Sequence, residues 1–204
     1  SHHIILLLIH YMVKYKNVKG KVVTAFSTTP RIEKICKHYE LELEIVPIGF
    51  KYIAGIMEKE DVLIGGEESG GIAMRGHLPE RDGIWIGLVL AEFIALSGKK
   101  LDELIKEVYE ITGSFVFHRV DLHIEEDKKQ SIVRMCKAGE FKKFGSYAVE
   151  RVEDMDGYKF FFNNDQWLMI RASGTEPVLR VYAESSTRAG VDKIFNEALP
   201  AIQG

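Results

Sequence analysis

The strongest constraint on the fold is a regular alternation of β-branched runs with amphipathic helical patterns, which stops near Gly113. Ile5, Leu8, Ile9 and Met12 fall on one helical face, and Asn17 and Gly20 end that helix. Residues 21–26 form a β-branched run and read as a strand. Ser27-Thr28-Thr29-Pro30 is a helix-start signal, with Thr29 as N-cap and Pro30 at the first helical position. Ile32, Ile35 and Cys36 are the inner face of the helix that follows. Residues 41–46 alternate apolar side chains with Glu, as a half-exposed strand does. A short helix over 49–58 leads to the buried strand Val62-Leu63-Ile64, which runs into glycines. Residues 84–96 are apolar nearly all round and predict a buried helix, opened at Asp82 or a neighbour and stopped by Gly98. Leu101, Leu104, Ile105 and Val108 complete an amphipathic helix ending near Gly113. Such alternation predicts a layered α/β/α domain over residues 1–113.

Beyond Gly113 the pattern changes. Residues 114–124 alternate like a strand and 126–137 like a polar-faced helix. Strands are expected at 147–152, 158–163, 167–171 and 178–184, with Asp156-Gly157 as a hairpin turn. A helix over 188–199 closes the chain. Residues 114–204 therefore predict a small α+β domain, an antiparallel sheet with helices on one face.

Bulk properties narrow the function classes. An apolar share of 46% with 28% charged residues is that of an ordinary globular protein. A net charge of −3 offers no general attraction to nucleic acid or anionic membrane, so any anion site must be local. Cys36 and Cys136 sit inside amphipathic patterns and read as buried thiols of a reducing compartment. The apolar run 4–9 is too short to span a bilayer and lacks the flanks of a signal peptide, so a cytoplasmic location is expected. Ser1-His2-His3 reads as a remnant of expression, outside the fold.

Two polar loops carry the chemistry. Arg171-Ala172-Ser173-Gly174-Thr175-Glu176-Pro177 lies between two strands, with Arg180 just beyond. Gly174 allows a sharp turn with N–H groups close together. Ser173 and Thr175 supply hydroxyl donors and Arg171 a permanent charge, a set that suits phosphate. The same residue types also suit an ordinary hairpin connection. The second loop, Gly65-Gly66-Glu67-Glu68-Ser69-Gly70-Gly71, ends the 62–64 strand, where open α/β sheets bind ligands. Its glycine spacing matches neither nucleotide-binding pattern, and two carboxylates would repel phosphate. Glu and Ser suit neutral hydroxyls instead, and a solvated acidic loop is the alternative.

Taken together, Gly66-Glu67-Glu68-Ser69-Gly70-Gly71, then Arg81-Asp82-Gly83, then the 171–177 loop with Arg180 resemble the α-D-phosphohexomutases, the phosphoglucomutase/phosphomannomutase family. The resemblance spans almost the whole chain but only the last two of the family's four domains. It implies a third, sugar-binding domain over 1–113 and a fourth, phosphate-binding domain over 114–204. It also implies that Glu67 and Ser69 hold two ring hydroxyls. Arg171, Ser173, Gly174 and Thr175 would grip the phosphate not being transferred, with Arg180 in support, and Lys51 would lie near the reacting sugar. Arg75 and His77 could be specificity contacts, although a solvated loop is the expectation for both. The family reaction interconverts hexose 1-phosphate and hexose 6-phosphate through a phosphoserine, Mg²⁺ and a bisphosphate intermediate. The serine loop and the Asp-rich metal loop of the family are not in this sequence. Ser27-Thr28-Thr29 reads as a helix start and Asp154-Met155-Asp156-Gly157 as a turn. The expectation is therefore a C-terminal fragment, inactive alone, with Mg²⁺ bound elsewhere and the N-terminal domains of the same polypeptide as partner. A stand-alone, non-catalytic sugar-phosphate-binding module is the alternative. The sugar, glucose, mannose or N-acetylglucosamine, is open, with a lean toward phosphoglucomutase from the Glu67 loop.

Overall fold

The position of two adjacent glycines decides how the first layers assemble. In the computed structural model, which describes residues 1–174 and 176–203, Gly65 and Gly66 end a central strand. A Cβ on Gly65 would lie 2.3 Å from Cγ2 of Ile53, and one on Gly66 would lie 2.7 Å from Cδ1 of Ile5. Successive strand residues point to opposite faces, so Ile53 and Ile5 belong to helices on opposite sides of the sheet. That sandwich is the α/β/α layering.

The chain divides into two compact units, Ser1–Gly113 and Ser114–Gly204. The first contains α1 (His2–His10), a π-helical turn (Tyr11–Tyr15), β1 (Lys21–Ala25), α2 (Arg31–Tyr39), β2 (Leu43–Val46) and α3 (Phe50–Met57). It continues through β3 (Val62–Gly66), β4 (Ile72–Met74), α4 (Gly83–Ser97) and α5 (Leu101–Thr112). The sheet order is β2-β1-β3-β4, parallel except for β4, which returns antiparallel to β3. Strand β4 is too short at three residues for alternation to reveal it.

Three features depart from the sequence expectation. His2 is buried at 4% exposure and opens α1, and Nε2 of His3 lies 2.7 Å from the Tyr109 hydroxyl, so this segment belongs to the fold. Helix α2 starts at Arg31 rather than Pro30, and Thr29 Oγ1 accepts from the Arg31 N–H at 3.2 Å. Helix α4 buries only Ile86, Val89 and Phe93, whereas Ile84 is 82% exposed, Leu96 61% and Leu88 60%. A helix apolar all round has two faces to cover, and only one is covered here.

A polar cluster ties three helices together. His10, from α1, is 1% exposed; its Nε2 lies 3.0 Å from Glu107 of α5 and its Nδ1 2.7 Å from the Tyr39 hydroxyl of α2. An ionised carboxylate only accepts, so Nε2 carries the proton and Nδ1 accepts from Tyr39. Lys14 and Lys99 also reach Glu107, each at 2.5 Å.

The second unit contains β5 (Val116–His123), α6 (Glu126–Ala138), β6 (Lys143–Phe144), β7 (Tyr147–Ala148), β8 (Arg151–Glu153) and β9 (Tyr158–Phe161). It ends with β10 (Trp167–Ala172), β11 (Val178–Ser185) and α7 (Arg188–Gln203). The five-stranded sheet runs β5-β11-β10-β9-β8, antiparallel throughout. Leu168 and Ile170 point into a core with Ile132 and Cys136 of α6 and Val191, Ile194 and Ala198 of α7. Trp167, Met169 and Arg171 therefore face the other side. The single strand expected over 147–152 is two strands, because the chain changes partner: the Val149 N–H donates to Lys142, the Glu150 N–H to Phe161. Both cysteines are buried free thiols, each pushed up to about 12 by burial. Among the described residues no helix is long and apolar enough to cross a membrane.

The packing at Gly66 is testable. Gly66→Ala should destabilise the chain by about 1–3 kcal/mol through overpacking. The cost should shrink in an Ile5→Val background, which lacks the clashing Cδ1; strict additivity in urea unfolding would refute the contact. The polar cluster sets a pH dependence. Burial holds His10 below its ordinary pKa, against the opposing Glu107 hydrogen bond. Burial pushes Glu107 up, but hydrogen bonds from Lys14, Lys99, His10 and Tyr15 outweigh it and hold the carboxyl well below the usual range. Both depressions make the unfolded chain bind protons first. Thermal stability should fall as pH drops below about 6.5 and again below about 4.3, and Glu107→Gln should flatten the second fall.

Candidate functional site

The first candidate site grows from the end of β3. The Glu67 N–H donates to the Gly71 carbonyl at 2.9 Å and the Gly70 N–H to the Glu67 carbonyl at 3.2 Å, closing a tight β3–β4 connection. Glu67 is 5% exposed. Its Oε1 accepts the Gly49 N–H at 2.9 Å, which joins the segment before α3 to this loop. Burial raises the Glu67 pKa, opposed by the Gly49 N–H, the nearby Arg81 charge and the Ser69 hydroxyl. The solvated acidic loop is thus not what forms: Glu67 is packed and Ser69, itself exposed, donates to it. Glu68 turns away and accepts from Ser27 Oγ at 2.5 Å. Ser27 is fully buried in that contact.

Lys51 sits two residues beyond Gly49, exposed on the first turn of α3, with its ammonium 4.9 Å from the Tyr52 ring centroid. Arg81 approaches the same loop and was assigned no role from sequence. Its guanidinium lies 5.3 Å from the Phe50 ring centroid. A Cβ on Gly71 would meet Arg81 Cδ at 2.7 Å and Glu67 Oε2 at 3.2 Å. The structure brings Glu67, Ser69 and Arg81 together, with Lys51 on the adjoining segment.

Arg75 and His77 are elsewhere. Arg75 donates to Asp61 at 2.6 Å and to the Lys19 carbonyl at 3.0 Å, and its N–H pairs with Leu63 near the start of β3. Glu67 follows the other end of that strand. His77 Nε2 lies 2.8 Å from Asp82, and its ring stacks on Trp85 at 4.7 Å. Asp82 in turn caps α4, accepting from Ile84 and Trp85. Both residues lie in the largely exposed connection between β4 and α4, half-buried themselves, and each has a carboxylate partner, Asp61 for Arg75 and Asp82 for His77.

The second candidate site lies at the β10–β11 connection. The strand register sets Arg171 directly opposite Arg180, and Arg180 opposite Asp121 of β5. Like charges in facing positions repel, so each arginine is held by acids. Asp156 accepts from Arg171 Nε at 3.0 Å and Nη2 at 3.4 Å, which fixes the plane of the guanidinium. Asp156 thus does more than form a turn. Arg180 Nη2 donates to Glu176 at 3.4 Å, and its Nε lies 4.0 Å from Asp121.

Ser173 is buried, and its N–H donates to the Val178 carbonyl at 2.9 Å. Gly174 is exposed; its φ is not in the left-handed region, and a Cβ there would meet nothing within 4 Å. The chain bends at Gly174 without a left-handed φ, and glycine there leaves open space above the backbone. Thr175 lies outside the described residues. Lys129 of α6, 4% exposed, donates to the carbonyls of Ser173 at 3.2 Å and Glu176 at 3.0 Å. Nothing in the sequence separates this lysine from its neighbour Lys128. An open cavity of ≈ 440 Å³ is lined by Lys129, Gln130, Ser173, Gly174 and Glu176, among others.

Among the described residues no group of three or more His, Cys, Asp or Glu side chains could hold a metal ion. Asp156, in the Asp154-Met155-Asp156-Gly157 turn, is paired with Arg171.

Comparison with known proteins places the two units in a family. Residues 1–111 match the family model for the phosphoglucomutase/phosphomannomutase α/β/α domain III, and residues 125–201 match the model for the C-terminal domain. A phosphoglucomutase/phosphomannomutase of Thermococcus kodakarensis is 29% identical over 84% of this chain and 35% of its own length. A phosphoglucosamine mutase of Methanococcus maripaludis is 30% identical over 95% of this chain and 41% of its own. The solved structure of a Thermus thermophilus protein, a candidate phosphomannomutase, superposes with a TM-score of 0.82 at 30% identity, covering 100% of this chain and 41% of that one. An Aspergillus fumigatus N-acetylphosphoglucosamine mutase solved with GlcNAc-6P and magnesium shares the fold at 17% identity, with a TM-score of 0.67 over 100% of this chain and 43% of that one. The chain spans about two-fifths of the relatives it matches. With both of its units matched by the family's domain models, the chain belongs to the phosphoglucomutase/phosphomannomutase family.

Proposed function

We propose that this chain is the substrate-gripping, C-terminal part of a phosphohexomutase that interconverts hexose 1-phosphate and hexose 6-phosphate. The observation that carries the reading is the register placing Arg171 opposite Arg180 at the mouth of the 173–177 loop. Two guanidinium groups in facing positions repel unless anions lie beside them. A phosphate bound there would share them with Asp156, Glu176 and Asp121, and guanidinium groups suit its planar, bidentate recognition. Arg171, Ser173, Gly174 and Thr175 are proposed to hold the phosphate that is not transferred, with Arg180 in support. The open space above Gly174 suits the close approach of a ligand to the backbone.

On the first unit, Glu67 and Ser69 are proposed to hold two sugar hydroxyls, with Lys51 on the adjoining segment near the reacting end. A carboxylate already fixed by the Gly49 N–H is a preorganised acceptor, and Ser69 both donates and accepts. Phosphoryl transfer depends mostly on positioning and charge stabilisation, so a part that grips both hydroxyls and a phosphate has a defined task. The phosphoserine and the Mg²⁺ site are proposed to lie on domains outside this chain, and the chain alone is proposed to bind without turnover. The exposed apolar face of α4, with Ile84, Leu88 and Leu96, supports the presence of a further domain. The names of the relatives divide between phosphoglucosamine mutase and phosphoglucomutase/phosphomannomutase, so the substrate is given as the class of hexose phosphates.

Arg171→Ala in the full-length enzyme should lower kcat/KM by a factor equivalent to at least ~1.5 kcal/mol, since a charged hydrogen bond is lost; steady-state kinetics with unchanged efficiency would remove Arg171 from the grip. Glu67→Gln should weaken glucose 1-phosphate binding about tenfold while leaving inorganic phosphate affinity as it was. Calorimetry showing equal loss for both ligands would contradict a hydroxyl role for Glu67.

A further inference from the structure

A lysine buried in a small domain needs an explanation. Moving an ammonium out of water costs several kcal/mol unless its donors are satisfied. Lys129 of α6 is 4% exposed, and its ammonium has three hydrogen-bond donors. Three acceptors receive it: the Ser173 carbonyl at 3.2 Å, the Glu176 carbonyl at 3.0 Å, and the Glu126 carboxylate at 2.7 Å. Two of the three are backbone atoms that bracket residues 174 and 175. The third neutralises the charge from one turn earlier on the same helix.

This anchoring dictates which way the Ser173–Gly174 peptide faces, and it holds the carbonyl of the Glu176–Pro177 peptide, which has no N–H. In a trans peptide the C=O and N–H of one unit point in opposite directions. Drawing the Ser173 carbonyl toward Lys129 therefore turns the Gly174 N–H away from α6. Carbonyl oxygens are the groups an anion avoids, and Lys129 takes two of them out of play on the helix side. The Ser173 N–H is itself taken, donating to the Val178 carbonyl at 2.9 Å. A backbone N–H turned outward in this way is a fixed donor for an anion.

We propose that Lys129 is a positioning residue of the phosphate grip, which pins the Ser173 and Glu176 carbonyls against α6 so that the Gly174 N–H, and neither of those carbonyls, is turned to the phosphate. It rests on the reading of the 171–177 loop as a phosphate site. It adds a residue from α6 that acts through the backbone and need not touch the ligand.

The test uses the full 204-residue chain, with glucose 1-phosphate and inorganic phosphate as probes and affinity read from NMR amide shifts. Lys129→Met keeps the aliphatic stem and removes the donors. It should weaken both probes by at least about tenfold and speed amide hydrogen exchange at Gly174. Lys129→Gln, which keeps a donor without charge, should fall between and serves if the Met variant does not fold. A purely structural lysine would lower the melting temperature of either variant without changing the affinity of the folded protein. Wild-type affinity and exchange in a folded Lys129 variant would overturn the proposal. Arg171→Ala separates the two claims. If it binds as wild type while Lys129→Met does not, the grip assigned to Arg171 fails and Lys129 stands. No binding of either probe by the wild-type chain would overturn both.

Discussion

The close contact of helices with the end of β3 is the constraint on which the first unit depends. Only glycine at 65 and 66 lets Ile53 of α3 and Ile5 of α1 reach the strand backbone from its two faces. That contact sets where the strand ends, and so where Glu67 emerges. Because α3 is drawn in at Gly65, the Gly49 N–H before the helix can meet Glu67 at 2.9 Å. A packing requirement thus places a polar group. The carboxylate is buried in consequence, with a raised pKa and a fixed direction.

In the second unit a similar role falls to electrostatics. Strand register puts two arginines face to face, and the sheet tolerates them because Asp156, Glu176 and Asp121 lie alongside. Opposite them α6 delivers a buried cation to backbone carbonyls. Charge here shapes a loop instead of adding bulk stability, since exposed ion pairs contribute little. The net charge of the chain, −3, says nothing of this local arrangement.

Much of the architecture was legible in the sequence because it followed period. The helices Leu101–Thr112 and Glu126–Ala138 and the strands Trp167–Ala172 and Val178–Ser185 show clean spacing and occur within a residue or so of where expected. Failures occurred where period carries no information. Strand β4 is three residues long, and the 147–152 run splits because hydrogen-bond partners change within it. Helix α4 showed apolar residues all round, but how many neighbours cover such a helix is not a local property. Nothing in the spacing of Ser1-His2-His3 marks it as part of the fold, yet His2 opens α1 and is buried.

By itself the sequence determined the alternation of elements, the two polar loops and the family whose motifs they resemble. These depend on residue type and spacing, which local physics reads directly. Only the tertiary structure decided that Glu68 serves Ser27 while Glu67 turns to Gly49, that Arg75 and His77 have structural partners, and that Asp156 orients Arg171. It also set Lys129, identical in type to its neighbour Lys128, beneath the 173–176 backbone. Identical side chains acquire different roles because partners distant in sequence meet only when the sheet register and helix packing bring them within hydrogen-bond range.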